Sequence, residues 1–439
     1  MLKPQGLITA VGVLAILGGY AWWANRHPVA DTSATPPAPK ILSLSADQIT
    51  AVRLAKPGAP PVVLNKTASG WQIAASDKTD KPLPADSDAV TALTGAVTPL
   101  NSDRLIDEHP ATLTSFGLDN PTSEVDFTTK DGKTQKLLLG ADTPSGSDTY
   151  VKLDGDPKVY TIASATKSSF DKSVNDLRDK RLLTLNPDKI TSVTLTAKGP
   201  AVEFGKNSGG DWQITKPKPL RADGPSVDDL VAKLKDAKMD LTATPTAADF
   251  SASAKVGSVT FVDDKGPETI EVHKAKDNTV YAKSTAVEGI YKVAPDVATA
   301  IDKGSDDFRN KKLFDFAFTD PSKVDLGGKL YEKTGDKWFN GSTQLDSGTI
   351  QNVVDKLRDL AATKFGDKIA GSHALTLAVT WGEKSKVDKV VINKNGADYL
   401  GLREGDDTAY NLDPKAYDDL QQAIAGIKPY QAPKADTKK

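Results

Sequence analysis

The sequence contains no cysteine among its 439 residues. This absence excludes disulfide bonds, thiolate metal sites, a cysteine nucleophile and lipidation of an N-terminal cysteine. It does not fix the cellular compartment, because domains outside the cytoplasm also fold without disulfides.

The chain also lacks an excess of charge of one sign. Its 56 basic and 58 acidic residues leave a formal net charge of −2, so no global field favours nucleic acid or an acidic membrane surface. We therefore expect no nucleic-acid partner. Aromatic residues make up only 6% of the sequence, which is lean but sufficient for several small cores, and a chain of this length divides into more than one domain.

Motifs that support catalysis or cofactor binding are missing as well. The sequence has no Gly-x-Ser-x-Gly elbow, no phosphate loop ending in Gly-Lys-Ser/Thr and no dinucleotide-binding Gly-x-Gly-x-x-Gly. We expect the widely spaced histidines at the surface or in loops: His27, His109, His273 and His373. Pairs of adjacent carboxylates should be solvated: Asp228-Asp229, Asp263-Asp264, Asp306-Asp307, Asp406-Asp407 and Asp418-Asp419. No catalytic residue, cofactor, metal ion or small-molecule substrate is therefore predicted.

What the sequence does contain is an internal repeat of roughly 130–140 residues. Asp176-Leu-Arg-Asp-Lys-Arg-Leu182 returns as Asp307-Phe-Arg-Asn-Lys-Lys-Leu313. Trp71, Trp212 and Trp338 mark one equivalent strand in three copies, and an aromatic residue in such a strand is typical of a core. The repeat predicts module boundaries at residues 41–182, 183–313 and 314–427, with a disordered tail at 428–439.

Each copy predicts an α+β module of antiparallel hairpins closed by helices. In the first copy, residues 124–139 form two strands around the Asp131-Gly132 turn, a strong hairpin signal. Apolar spacing predicts a helix from Asp86 to Val97 and another from Ser164 to Lys180, with Ser164 as its N-cap. Helices are also predicted over Pro295–Asn310 and Asp413–Gly426.

The repeated motif supplies the candidate junction residues: Asp176, Arg178, Lys180, Asp307, Arg309 and Lys311. One interpretation is a basic docking patch. The other is structural, because Lys and Arg favour the negative pole at a helix C-terminus. On the structural interpretation, the guanidinium groups of Arg178 and Arg309 point to the neighbouring module or to the carbonyls that end their own helix.

The N-terminus predicts a membrane anchor. Residues 6–23 carry no charge and end in Trp22-Trp23, and about 20 apolar residues span a bilayer as a helix. We expect a cytoplasmic end at 1–5, a signal-anchor at 6–23 and a proline-rich linker at 24–40. The C-terminal bulk then lies outside the cytoplasm, at the inner membrane. A cleaved signal peptide is the alternative, although cleavage after Ala24 or Ala30 places the unsuitable Trp22 or Pro28 at the −3 position.

The chain resembles the bacterial family known as domain of unknown function 4340. The resemblance lies in Phe116-Gly-Leu-Asp-Asn-Pro-Thr122, Leu137-Leu-Leu-Gly140, Tyr150-Val-Lys152 and Asp176–Leu182. The Phe-Gly-Leu-x-x-Pro element is absent from the second and third copies. The resemblance implies an accessory protein of an ABC-type exporter with a gliding-motility-type subunit, and it implies no catalytic residue.

Two functions follow as hypotheses. The first is a non-enzymatic, membrane-anchored envelope protein whose repeats are a binding or assembly scaffold for protein partners in an ABC-type transport complex. The second is an envelope hydrolase acting on a polysaccharide or peptide, with carboxylates gathered from separate repeats. Glycosidase carboxylates lie about 5–10 Å apart and can come from distant segments, so the sequence leaves this alternative open.

Overall fold

A computed structural model of the chain describes residues 39–75, 81–98, 100–368 and 371–432. The segments predicted at 1–5 and 6–23, and the linker up to residue 38, lie outside the described residues. Within the part of the chain that is described, no helix is both long and apolar enough to cross a membrane.

Antiparallel strands and short helices build the chain, so the predicted α+β class is confirmed. The first sheet has nine described strands in the order β5-β4-β3-β2-β8-β9-β10-β11-β7. In chain order these are β2 (Ile49–Ala55), β3 (Val62–Thr67), β4 (Gly70–Ile73), β5 (Leu83–Pro84), β7 (Arg104–Asp107), β8 (Ser123–Thr129), β9 (Thr134–Asp142), β10 (Asp148–Leu153) and β11 (Val159–Ala163). A separate ladder pairs β1 (Lys40–Leu42) with β6 (Leu100–Asn101). The helices of this region are α1 (Ser87–Gly95), α2 (Ser164–Phe170) and α3 (Val174–Leu177).

The second sheet has eight described strands in the order β15-β14-β13-β12-β16-β17-β18-β19. They are β12 (Ser192–Thr196), β13 (Val202–Lys206), β14 (Trp212–Lys216), β15 (Leu220–Arg221), β16 (Ala254–Asp263), β17 (Gly266–Lys274), β18 (Val280–Ser284) and β19 (Tyr291–Val293). Its helices are α4 (Gly224–Lys235), α5 (Ala247–Ala252) and α6 (Pro295–Ile301).

The third sheet has nine described strands in the order β23-β22-β21-β20-β25-β26-β27-β28-β24. They are β20 (Pro321–Leu326), β21 (Lys329–Thr334), β22 (Lys337–Asn340), β23 (Thr343–Gln344), β24 (Ala362–Gly366), β25 (Ser372–Trp381), β26 (Lys386–Asn395), β27 (Asp398–Arg403) and β28 (Ala409–Leu412). Its helices are α7 (Ser347–Asp359) and α8 (Pro414–Ala425).

The three sheets therefore share one strand order. The second sheet departs from it at one edge, where a single bridge between Asp240 and Lys292 takes the place of the ninth strand. Each sheet buries one face, because successive residues of a strand point to opposite sides, and each contributes to its own apolar core. The chain divides into two compact units at Lys180 and Arg181, and the second and third sheets lie together in the second unit.

Local signals place the first helix as predicted. The Asp86 carboxylate accepts hydrogen bonds from the backbone N–H groups of Asp88 and Ala89 at 2.9 and 3.1 Å, which satisfies two of the free donors at the start of α1. Val90 and Leu93 lie on the buried side of the helix. Asp413 caps α8 in the same way.

Two predicted helices are shorter than expected. Residues 164–180 contain α2, a break, and then α3, and Ser164 is the first residue of α2 rather than its N-cap. The break occurs because Ser173 and Asp176 form a capping box that starts a new helix. The predicted helix over Pro295–Asn310 likewise ends at Ile301, and a short 3₁₀ turn follows at Ser305–Asp307.

The residues predicted to end the first two modules belong to the sheet that follows each of them. Leu182 and Leu313, expected at the ends of the first two modules, lie in the cores of the second and third sheets. The start of the tail predicted at 428–439 is bonded to the third sheet instead, because Asp346 N–H donates to the Lys428 carbonyl at 2.8 Å and Tyr430 N–H donates to the Gln344 carbonyl at 2.9 Å. The rest of the predicted tail, from residue 433, lies outside the described residues.

Candidate functional site at the module junctions

The junction motif runs along the edge strand of its own sheet. Arg178 forms a backbone bridge with Ala85, and Arg309 forms the equivalent bridge with Ala222. The adjoining hydrogen bonds match: Asp86 N–H donates to the Leu177 carbonyl at 2.8 Å, and Asp223 N–H donates to the Phe308 carbonyl at 2.7 Å. In the third copy Pro429 takes the arginine's place beside Leu345, so the backbone position is repeated although the motif is not.

Within the second unit, the residues that follow each arginine pair with a further segment. Arg181 bridges Lys238, and Lys312 bridges Ala361. Leu313 N–H donates to the Leu360 carbonyl at 3.0 Å, and Ala362 N–H returns a 2.8 Å bond to the Lys311 carbonyl. The second copy of the motif therefore joins the second sheet to the third through its backbone.

The motif's acidic residues close local turns. Asp176 accepts a 2.8 Å hydrogen bond from the Ser173 N–H, and Asp307 accepts one of 2.7 Å from the Gly304 N–H. The hydroxyl and N–H of Ser173 lower the pKa of Asp176 by stabilising its charged form. These two carboxylates are therefore engaged in capping.

The motif's basic residues have different positions. Arg309 is only 8% exposed. Its guanidinium donates to Asp306 Oδ1 at 3.1 Å and to the hydroxyl of Thr408, and it stacks 3.5 Å above the Phe365 ring in β24. It therefore contacts the third sheet.

Arg178 follows α3, and its N–H donates to the Val174 carbonyl at 2.9 Å. Arg178 and Lys180 are half-buried, and Lys311 is exposed. The six motif residues thus divide between the two compact units, with Asp176, Arg178 and Lys180 in the first and the other three in the second.

A charged network between the second and third sheets was not predicted from the sequence. Arg221 of β15 pairs with Asp315, donates to the Lys312 carbonyl at 2.7 Å and donates to the Tyr410 hydroxyl at 2.8 Å. Arg403 of β27 bonds the other oxygen of Asp315 at 2.7 Å. Asp315 therefore lies between one arginine from each sheet.

A second carboxylate completes the network. Asp388 accepts from the Arg403 guanidinium at 2.7 Å, from the Trp381 indole at 2.9 Å and from the Asp315 N–H at 2.7 Å. Arg403 also donates to the Leu313 carbonyl at 2.7 Å. Buried carboxylates are stable when arginine and backbone donors surround them in this way.

Burial and charge shift the pKa values of two members. Burial by itself lowers the pKa of Arg221, but Asp315, Tyr410 and Asp406 outweigh it and raise the pKa above its ordinary value. Burial raises the pKa of Tyr410, and the hydrogen bond to Asp406 acts in the same direction. Both groups therefore keep their protons at neutral pH, and Arg221 remains a cation that pairs with the carboxylates.

Alignment of the strand registers shows why the network was missed. Asp315, Asp388 and Arg403 occupy the positions of Thr184, Glu268 and Ser284 in the preceding copy. Ser284 donates to the Leu182 carbonyl, as Arg403 does to Leu313. The backbone contact occurs in both copies, but the side chains that make it differ, so comparison of the two copies does not reveal the network. The one signal in the sequence is that charged residues stand at these positions in the third copy.

Two expectations about titratable residues were wrong. Asp263 is buried and accepts from the backbone N–H groups of Asn186 and Lys265 at 3.0 and 2.8 Å, and Asp406 accepts from the Tyr410 hydroxyl. His273 lies in β17, stacked on Phe250 with ring centroids 3.8 Å apart and bonded to Glu271 at 3.0 Å. The strand register places polar partners beside these residues. The residues next to them in the sequence do not reveal those partners. Among the described residues, no group of three or more His, Asp or Glu has the arrangement of a metal site.

Comparison with known proteins gives a family. The model of the family described as a domain of unknown function, DUF4340, matches the chain twice, over residues 71–211 and 212–378. The chain matches no curated protein and no solved structure. Each family match begins at an equivalent tryptophan, Trp71 or Trp212, and the two together cover well over half of the chain. The chain therefore belongs to the DUF4340 family.

Proposed function

We propose that the chain is a non-enzymatic, membrane-anchored envelope protein whose repeated sheets form a binding and assembly scaffold accessory to an ABC-type transport complex. The observation that carries this proposal is the network of Arg221, Asp315, Arg403 and Asp388. These charged side chains pair with one another and hold two sheets in one compact unit. A scaffold needs repeated modules at fixed separations, and a network of this kind provides that rigidity.

The hydrolase alternative receives less support from the same residues. A hydrolase of this class needs a free acid and a free base facing substrate. Asp315 and Asp388 accept hydrogen bonds from arginine, indole and backbone donors instead. Both carboxylates are therefore occupied by donors from the chain itself and do not face a substrate as a free acid and a free base.

The proposed anchor is the apolar segment at residues 6–23, with the sheets outside the cytoplasm at the inner membrane. Its support is the uncharged run and its closing tryptophans. Alkaline phosphatase fused after Lys439 should be active if this topology is right, because the enzyme requires an oxidising compartment for its own disulfides. The same fusion to a chain that lacks residues 1–38 should be inactive. Activity in both would refute an export role for the segment.

The scaffold proposal is tested by purification from membranes in mild detergent after in vivo cross-linking. We expect an ABC-type permease or ATPase to be recovered in stoichiometric amount with the full chain. The matched control has a cleavable signal peptide in place of residues 1–23, which releases the sheets from the membrane. Recovery of no transport subunit, together with hydrolysis of cell-wall polysaccharide or peptide by the purified chain, would favour the alternative.

A further inference from the structure

The second sheet carries a groove that belongs to neither junction. It lies between α5, the first residues of β16, the end of β17 and α6, and its volume is about 800 Å³. Its apolar wall includes Ala252, Val256, Pro295 and Ala298. Sites for small organic ligands typically have volumes of about 300–1,000 Å³, so the space suits a ligand of that size.

In the second copy, two side chains of this region are smaller than their counterparts in the third copy. The strand registers and helix caps align Val280 and Ala298 with Tyr399 and Tyr417 of the third copy. Those tyrosines stack with ring centroids 3.9 Å apart and fill the corresponding space.

The first copy fills the same position with polar groups. Lys167 aligns with Ala298, and its ammonium bonds Asp142 at 2.7 Å. The Thr149 hydroxyl also donates to Asp142, at 2.6 Å. The other two copies therefore serve as internal references in which the space is occupied by the chain itself.

Lysines surround the opening. Lys255, Lys274 and Lys276 line the groove together with one carboxylate, Asp302. Asp302 pairs with Lys198 at 3.2 Å, and Lys255 pairs with Glu271 at 3.2 Å. Within residues 39–75, 81–98, 100–368 and 371–432, neither Lys274 nor Lys276 forms an ion pair. The rim therefore presents two uncompensated positive charges beside an apolar wall.

We propose that this groove binds a small, soluble amphipathic anion, with its apolar body against Val256 and Ala298 and its anionic group at Lys274 and Lys276. Apolar contact contributes affinity, and the lysines select charge and orient the ligand. The proposal does not depend on the scaffold function, because it concerns one module and no protein partner.

The probe is 1-anilinonaphthalene-8-sulfonate, which joins a sulfonate to an aromatic body and fluoresces when bound in an apolar site. We expect the full chain to bind one molecule saturably, with a Kd of about 1–100 μM. N-phenyl-1-naphthylamine has a similar body without the charge and measures the apolar contribution alone. Absence of saturable binding of the sulfonate by the folded chain would overturn the proposal.

Two variants locate the bound probe. The double variant Lys274→Gln/Lys276→Gln should raise the Kd of the sulfonate about tenfold or more while changing that of the neutral probe less than about twofold. Ala298→Tyr introduces the side chain that the third copy has at this position, and it should abolish binding of both probes. Circular dichroism checks that this variant is folded.

The matched control is Lys394→Gln. Lys394 is the counterpart of Lys274, and its ammonium lies 5.5 Å from the ring of Tyr399, which occupies the corresponding space in the third copy. This variant should bind the sulfonate as the unmodified chain does. Should the lysine double variant also bind the sulfonate unchanged, the groove would not be its site. Because exposed lysines are replaced, that test remains decisive even if Ala298→Tyr does not fold.

Discussion

Trp212 and Trp71 occupy the same strand position, yet their surroundings differ. Trp212 is 5% exposed, and its indole donates to the Asp228 carboxylate of α4 at 2.8 Å. Trp71 packs against the core of the first sheet, as predicted, but it is only half-buried, and the Lys66 ammonium lies 5.9 Å from its ring centroid. In α1 the counterpart of Asp228 is Thr91, whose hydroxyl bonds its own helix at the Ser87 carbonyl. A missing partner thus accounts for the difference.

Trp212→Ala should therefore lower the free energy of unfolding by about 3–5 kcal/mol, because it empties a packed core position. Trp71→Ala is the matched control, and it should cost less than about half as much because part of the ring already contacts water. Urea titration followed by circular dichroism measures both. Equal losses in the free energy of unfolding would show that the difference in burial does not determine how much each tryptophan stabilises the fold.

Asp263 gives a prediction about pH. Backbone N–H groups of Asn186 and Lys265 hold the pKa of this buried carboxyl below its ordinary value. A folded-state pKa that is lowered adds stability above the unfolded-state pKa of about 4, and this stability disappears as the pH falls through the folded-state value.

We therefore expect Asp263→Asn to be less stable than the unmodified chain at pH 7, with the difference shrinking as the pH falls below the unfolded-state pKa of about 4. Thermal unfolding at a series of pH values measures it. Asp264→Asn, at the exposed neighbour, should change the free energy of unfolding by less than about 0.5 kcal/mol at pH 7. A constant difference for Asp263→Asn across the range would contradict the assigned role.

At the scale of elements, the Phe116-Gly-Leu118 segment packs onto the end of β9. A Cβ atom added at Gly140 would overlap the Phe116 carbonyl oxygen and lie 3.0 Å from Leu118 Cγ. In the second copy, Phe250 of α5 is the counterpart of Phe116 by strand register. Phe250 stacks on His273, which is the counterpart of Gly140. The second copy thus retains the contact although it lacks the Phe-Gly-Leu-x-x-Pro element.

Gly140→Ala should destabilise the first unit by about 1–3 kcal/mol, because a packed site has no room for a methyl group. Gly95→Ala is a suitable control, since a Cβ atom at this helical position meets nothing within 4 Å. That substitution should be neutral or stabilise by up to about 1 kcal/mol. Hydrogen exchange of the Leu118 amide, measured alongside stability, should accelerate only in Gly140→Ala.

At the scale of the whole molecule, the chain forms two compact units although its strand order repeats three times. Arg221 and Arg403 join the second and third sheets through Asp315. Removing Arg221 takes from the half-buried Asp315 one of its two arginine partners and from Tyr410 its guanidinium donor, which costs more than losing an exposed pair.

Calorimetry should therefore show two transitions for the full chain, one for each unit. Arg221→Ala should separate the second and third sheets into two transitions, or lower their common midpoint, at a cost of about 1–3 kcal/mol. Arg53→Ala is the control, because Arg53 pairs with Asp126 at 3.2 Å while its side chain is 41% exposed, and exposed pairs contribute about 0–1 kcal/mol. Three transitions in the unmodified chain would show that the network does not couple the sheets.

The sequence by itself determined the features that depend on local signals. The Asp131-Gly132 hairpin and the helices that begin near Asp86 and Asp413 follow from residues near one another in the chain. The equivalence of the three tryptophans follows from the internal repeat. Turn and helix-start preferences act over a few residues, so a short stretch of sequence is enough to reveal them. The α+β class follows in turn from the repetition of those elements.

Only the tertiary structure decided which side chains meet across the repeats. Arg221 and Tyr410 are separated by 189 residues and still form a hydrogen bond, and the groove beside Ala298 is visible only once Tyr417 is known to fill the same place in the third copy. Register and sheet packing fix these neighbours, because they depend on distances through space that no local propensity encodes.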